Sequence, residues 1–88
     1  MKVENIYSHN RNAIANQFII RCKNKVIFQS YDSIIAIKNR TTGKITLDKY
    51  YWDYSKTTGK YRNIFLGENK KETENKIKNK VYKLKNLN

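Results

Sequence analysis

The chain of 88 residues carries few groups able to do covalent chemistry. Its single histidine, His9, lies in a polar stretch with no neighbouring serine or cysteine pattern and reads as a surface side chain. Its single cysteine, Cys22, ends an apolar run and reads as a small core residue. One cysteine excludes an intramolecular disulfide, and one cysteine with one histidine does not furnish a zinc site within the chain. Asp48 and Asp53 flank Tyr50-Tyr51-Trp52, but two carboxylates without further ligands are a poor metal or acid/base site, and Asp53 reads as a turn or cap residue. Thr-Thr-Gly-Lys occurs twice, at Thr41 to Lys44 and at Thr57 to Lys60. A phosphate-binding P-loop needs an earlier glycine and a Ser or Thr after the lysine; here Ile45 and Tyr61 follow. The first copy reads as a hairpin turn and the second as a helix start. The expectation is a protein without catalytic residues, metal or cofactor.

Charge points elsewhere. Nineteen Lys and Arg stand against seven Asp and Glu, a net +12 on a small surface. Such a surface favours polyanions: nucleic acid, an acidic protein face or anionic lipid. Part of the excess reflects a Lys-, Asn-, Ile- and Tyr-rich composition with AT-rich codons, yet that bias would also admit glutamate, which is scarce. No apolar run approaches the roughly 20 residues that cross a bilayer, and the first residues lack the layout of a secretory signal. The expectation is a soluble, cytoplasmic protein with no membrane partner.

The densest local feature is Tyr50-Tyr51-Trp52-Asp53-Tyr54, running into Ser55-Lys56-Thr57-Thr58-Gly59-Lys60-Tyr61-Arg62. Aromatic rings beside Lys and Arg can stack on bases while the cations hold phosphates. Trp52 and Tyr61 are better suited to pinning a helix to a sheet, since one buried aromatic contributes much of so small a core. Tyr50 and Tyr51 are the stronger binding candidates. Thr57 and Thr58 suit either a phosphate at a helix N-terminus or capping.

The elements that must position these residues follow from periodicity. Residues 1–16 are weakly patterned and interrupted by Asn5, Asn10, Asn12 and Asn16, which reads as a loosely ordered arm or a first strand of a single domain. Phe18 to Cys22 and Val26 to Tyr31 read as a hairpin, with Phe18, Ile20 and Cys22 on one face and Val26 with Phe28 on that of the second strand. Ile34-Ile35-Ala36-Ile37 suits a central strand buried on both faces. A turn at Asn39 to Lys44 returns Lys44 to Asp48 as a fourth strand. Ser55 caps a helix from Lys56 to Leu66 closed by Gly67, with Thr57, Tyr61, Ile64 and Phe65 on one side and Lys56, Lys60 and Asn63 on another. Asn69 and Glu72 resemble a capping box for a second helix through about Asn79, in which Glu72 with Lys76 and Glu74 with Lys78 are spaced as ion pairs. Val81 to Leu84 reads as a short last strand or tail. The predicted fold is α+β: an antiparallel meander of about four strands, then two helices on one face.

Two segments also resemble a known family. Ser30-Tyr31-Asp32-Ser33-Ile34-Ile35-Ala36 and Tyr51-Trp52-Asp53-Tyr54-Ser55-Lys56-Thr57-Thr58-Gly59-Lys60-Tyr61-Arg62 are similar to an S-Y-x-T-x-I-A element and a Y-S-x-T-T-x-K-[HY] motif of small phage-encoded domains. The likeness covers roughly residues 18–84, with Ser33 where the pattern has threonine. It implies a phage or mobile-element origin and kinship of fold, without an activity.

Three functions are compatible with these features. The first is a non-enzymatic binder of nucleic acid or nucleoprotein, with Lys56, Lys60, Arg62, Asn63, Lys76, Lys78, Lys80, Lys83 and Lys85 forming a contiguous basic face. The second is a phage anti-defence protein, such as an anti-CRISPR-like inhibitor, docking on a host nuclease complex. The third is an oligomeric sponge for an anionic nucleotide signal, since so short a chain has little room for a deep pocket of its own.

Overall fold

The computed structural model describes residues 1–8 and 10–88, so the expectation for His9 lies outside the described residues. Six strands form one sheet in sequence order: β1 Lys2–Tyr7, β2 Ala13–Arg21, β3 Lys25–Ser30, β4 Ser33–Asn39, β5 Ile45–Asp48 and β6 Lys83–Lys85. The first five are antiparallel neighbours, and β6 joins β5 in parallel. Helices α1, Lys56–Leu66, and α2, Lys70–Lys78, provide the crossover between those two strands. The α+β class and the helices are as expected, while six strands replace about four.

The two additional strands lie at the sheet edges, where local pattern is weakest. β1 pairs with β2 despite its asparagines because edge positions tolerate polar side chains; Asn5 Nδ2 donates to the Ile14 carbonyl at 3.1 Å. β6 is three residues long and gains its place from pairing with β5.

Register decides which side chains are inside. Glu4, Ile19, Phe28, Ala36, Leu47 and Leu84 lie opposite one another across the six strands, and Val3, Ile20, Ile27, Ile37, Thr46 and Lys83 form the next row. Directly opposed residues share a face and successive residues alternate. The helices cover the first row's face: the Phe65 ring of α1 stacks on Phe28 at 5.8 Å between centroids, and Ile77 of α2 packs on the same cluster. The expectation for β2 is therefore shifted by one residue. Ile19 faces the core with Phe28, while Phe18 and Ile20 face the uncovered side. In an unbroken Phe-Ile-Ile run, alternation cannot choose between faces.

β4 is explained by a bulge. Phe28 pairs with Ala36 and Gln29 with Ile34, leaving Ile35 as the extra residue. Both Ile35 and Ala36 are buried in the core, while Ile34 and Ile37 are only half-buried.

The local signals for turns and helix ends hold. Asn39 Oδ1 accepts from the Thr41 and Thr42 amides, and Gly43 takes a φ of 73° in the β4–β5 turn. Ser55 Oγ accepts from the Thr58 amide at 3.1 Å, and Gly67 ends α1 in the left-handed conformation. The Asn69–Glu72 capping box is complete. What differs is the face α1 presents: Thr58, Tyr61, Phe65 and Leu66 turn to the sheet and the buried Arg62 to the segment before the helix, whereas Ile64 is 59% exposed. The inward stripe includes two polar residues, which hydrophobic periodicity does not register.

Candidate functional site

Arg62 is the largest departure from expectation. It was expected on an open basic face, but it is 1% exposed and lies between α1 and the segment before it. Nη1 donates to the Trp52 carbonyl at 2.7 Å and to Asp53 Oδ1 at 3.2 Å, and Nη2 donates to Asn63 Oδ1 at 2.9 Å. The guanidinium carbon is 5.2 Å from the centre of the Trp52 ring, a cation–π contact that favours holding the charge there. Arg62 and Asn63 are structural here, and Asp53 completes the arrangement by also pairing with Lys70 at 2.8 Å. Burial pushes the Asp53 carboxyl up, but hydrogen bonds and charge from Lys70 and Arg62 outweigh it and leave the group below the ordinary carboxylate range.

Other expected contacts move as well. Thr58 is buried, its hydroxyl 3.0 Å from Ser30 Oγ on β3 and its amide capped by Ser55, so it ties α1 to the sheet and has no N–H to offer a phosphate. Thr57 is exposed beside it. Lys76 pairs with Glu68 at 2.7 Å and not with Glu72, which is engaged in the capping box. Glu68 also accepts from Thr73 Oγ1 and Tyr82 Oη; burial raises its pKa, and these donors more than reverse the effect. Asp48, expected as half of a weak carboxylate pair, is fully buried and accepts from the amides of Tyr50, Tyr51 and Leu87 and from Asn88 Nδ2. Burial raises its pKa, but these hydrogen bonds bring it below the ordinary value. Asp48 thus fixes the backbone that carries Tyr50 and Tyr51.

Across the fold, Glu4, Asp48, Asp53, Glu68 and Glu72 are all held by hydrogen bonds or ion pairs. Four of the nineteen cations, Arg21, Arg62, Lys70 and Lys76, take part in the ion pairs among the described residues. Most lysines therefore face solvent without a carboxylate beside them. Lys56, Lys60, Lys78, Lys80, Lys83 and Lys85 are exposed, as is Tyr50, with the Lys49 ammonium 5.0 Å from its ring centre; Tyr51 is half-buried.

These lysines fall into two groups. Lys56 and Lys60 stand on α1 beside a shallow depression shared with Asp53 and Lys70. Lys83 and Lys85 share a face with Thr46 and Ile37, on the side of the sheet away from the helices. There they line a groove of ≈ 460 Å³ with Lys25, Lys44, Lys80, Asn39 and Thr46. No carboxylate lines it. From Ile37 in the groove, the same face continues as an apolar strip of the exposed Val3 and half-buried Ile20 with Ile27 buried between its neighbours, and half-buried Phe18 and Ile34 lie in the next row. Lys25 and Lys44 were not among the expected site residues, and only the pairing of distant strands brings them to Lys83 and Lys85.

The two segments singled out by resemblance also meet in space. Ser30 to Ser33 forms the β3–β4 turn, and Tyr51, Tyr54 and Thr58 come against it to enclose a cleft of ≈ 420 Å³.

A six-stranded α+β domain with one helix-covered face and one basic and apolar open face defines the class. The chain belongs to a family of unknown function (DUF8033), whose model matches residues 1–81. None of the curated proteins and none of the solved structures matches it.

Proposed function

We propose that this protein is a non-enzymatic binder of nucleic acid, with the groove on the open sheet face as the principal phosphate-binding surface. The observation that carries this reading is the lysine-lined groove without a carboxylate, in a fold whose acidic groups are mostly engaged internally. A neutralised phosphate releases condensed counterions, so binding of this kind falls steeply with salt. Four phosphate contacts to a single strand lose roughly 50-fold in affinity between 50 and 200 mM salt. Lys56 and Lys60, on the helix side, act as a secondary contact. Fluorescence anisotropy with labelled single-stranded and duplex probes at two salt concentrations tests the reading; salt-independent or absent binding contradicts it. The resemblance to phage-encoded domains supports a role as a phage or mobile-element accessory protein in a bacterial host cell.

The apolar strip favours one second reading: docking on a host nucleoprotein complex, as an anti-defence inhibitor does. β-Branched side chains suit a protein surface better than they suit bases. A plaque assay in hosts carrying defence nucleases separates the readings, because a housekeeping nucleic-acid binder does not rescue phage growth.

A further inference from the structure

We infer that the cleft between the β3–β4 turn and the start of α1 is a pocket for one unstacked nucleobase, an inference that rests on the nucleic-acid reading and gives the chain a preference for single strands. Three tyrosines border it: Tyr51 is half-buried, while Tyr31 and Tyr54 are 54% and 69% exposed at its mouth. Tyr51 and Tyr54 lie 5.5 Å apart with rings tilted by 59°. Ser30 and Thr58, both buried, form the floor, and Asp32 lies at the rim.

Tyr31 is the telling residue. It occupies a two-residue hairpin turn with a φ of 54°, a conformation that glycine and asparagine adopt readily and a bulky side chain does not. The surroundings enforce it: the Tyr31 amide donates to the Asn16 carbonyl at 2.7 Å, and its carbonyl accepts from Gln29 Nε2 at 2.8 Å. The turn alone would favour glycine, so the ring is there for a contact made outside the backbone. It stands among two other tyrosines in a cleft also lined by the paired Ser30 and Thr58 hydroxyls and the buried Ile35, an arrangement suited to stacking a flat ring. Asp32 has no partner among the described residues, so its carboxylate remains available to accept from a base amine. Adenine, cytosine and guanine carry such an amine; uracil and thymine do not.

The test uses the full chain with oligo(A), oligo(U) and a duplex of equal length, all at one low salt concentration. The wild type is expected to bind oligo(A) more tightly than oligo(U) or duplex. Tyr31→Gly is expected to melt about 2–5 °C higher, because strain is relieved. The same variant is expected to bind oligo(A) about 5-fold or more weakly, with duplex binding unchanged. Tyr31→Asn, which keeps the turn, and Tyr54→Ala are expected to lose the same affinity. Equal affinity of the wild type for the three probes, or variants that keep the wild-type preference, overturns the pocket while leaving the groove intact. If no nucleic acid binds, the function proposed above fails. Adenosine titrated alone by NMR then judges the cleft, and absence of shifts at Tyr31, Tyr51 and Tyr54 overturns it.

Discussion

The two faces of the sheet solve opposite problems. On the helix-covered face, most enclosed polar groups find a specific partner: Arg62 with the Trp52 carbonyl and Asp53, Ser30 with Thr58, and Glu68 with Lys76, Thr73 and Tyr82; the fully buried Gln17 amide is the exception, with no hydrogen bond to its side chain among the described residues. On the open face, Lys25, Lys83 and Lys85 stand beside an apolar strip with nothing layered over either. A buried charge is retained only where it is matched, because leaving it unmatched is costly. An exposed lysine without a partner costs little and adds to the outward field. Residue type alone therefore does not separate a free cation from a structural one; Arg62 and Lys60, two positions apart, are buried and exposed respectively.

Substitutions on the covered face should have the largest effects on stability. Phe28 is fully buried at the centre of the sheet and stacked on Phe65, so Phe28→Ala is expected to cost roughly 3–5 kcal/mol. That is a large part of the stability of so small a domain, and urea denaturation measures it. Arg62→Met keeps an apolar stem but removes the donors to Trp52 and Asn63, with an expected loss of roughly 2–3 kcal/mol. If Arg62→Met melts with the wild type, the structural role assigned to this residue is wrong.

Adjacent residues on β2 provide a sharper comparison. Ile19 packs on the core cluster and Ile20 faces the open side, so Ile19→Ala should be more destabilising by roughly 1–2 kcal/mol. Equal losses would mean that the open face is covered as well. Acid should act through the carboxylates that internal hydrogen bonds hold ionised. Asp48, Asp53 and Glu68 have folded-state pKa values below the ordinary ones, so the stability they contribute is fully present above the unfolded carboxylate range of about pH 4. It is lost as pH falls through that range and below it, and the melting temperature is expected to drop there. A melting temperature flat down to pH 3 would contradict the hydrogen bonds described for these groups.

Much of this architecture is legible in the sequence, but unevenly. Turn and cap chemistry is local, so Ser55, Gly67, Asn69 with Glu72, and the Asn39–Lys44 turn can be read residue by residue. The edge strands are legible only as alternatives, an arm or a first strand and a last strand or a tail, because β1 and β6 owe their existence to partners far along the chain. The inward face of α1 is misread because it buries Thr58 and Arg62, which an apolar count assigns to solvent. The basic surface is legible as net charge and not as a place: Lys25, Lys44, Lys83 and Lys85 converge only through strand register. Ser30 to Ser33 and Tyr51 to Thr58 stand out in the sequence separately, and no spacing rule indicates that they meet.

The most direct test of the groove is Lys83→Gln with Lys85→Gln, measured by anisotropy with a single-stranded probe across a salt series. Both side chains are exposed on the open face, so the melting temperature should stay within a few degrees of wild type, as for surface changes of about 0.5 kcal/mol or less. Affinity at low salt should fall about tenfold, and the slope of log affinity against log salt should become shallower by about 1.4. An unchanged slope with unchanged affinity would contradict the groove as the phosphate-binding surface.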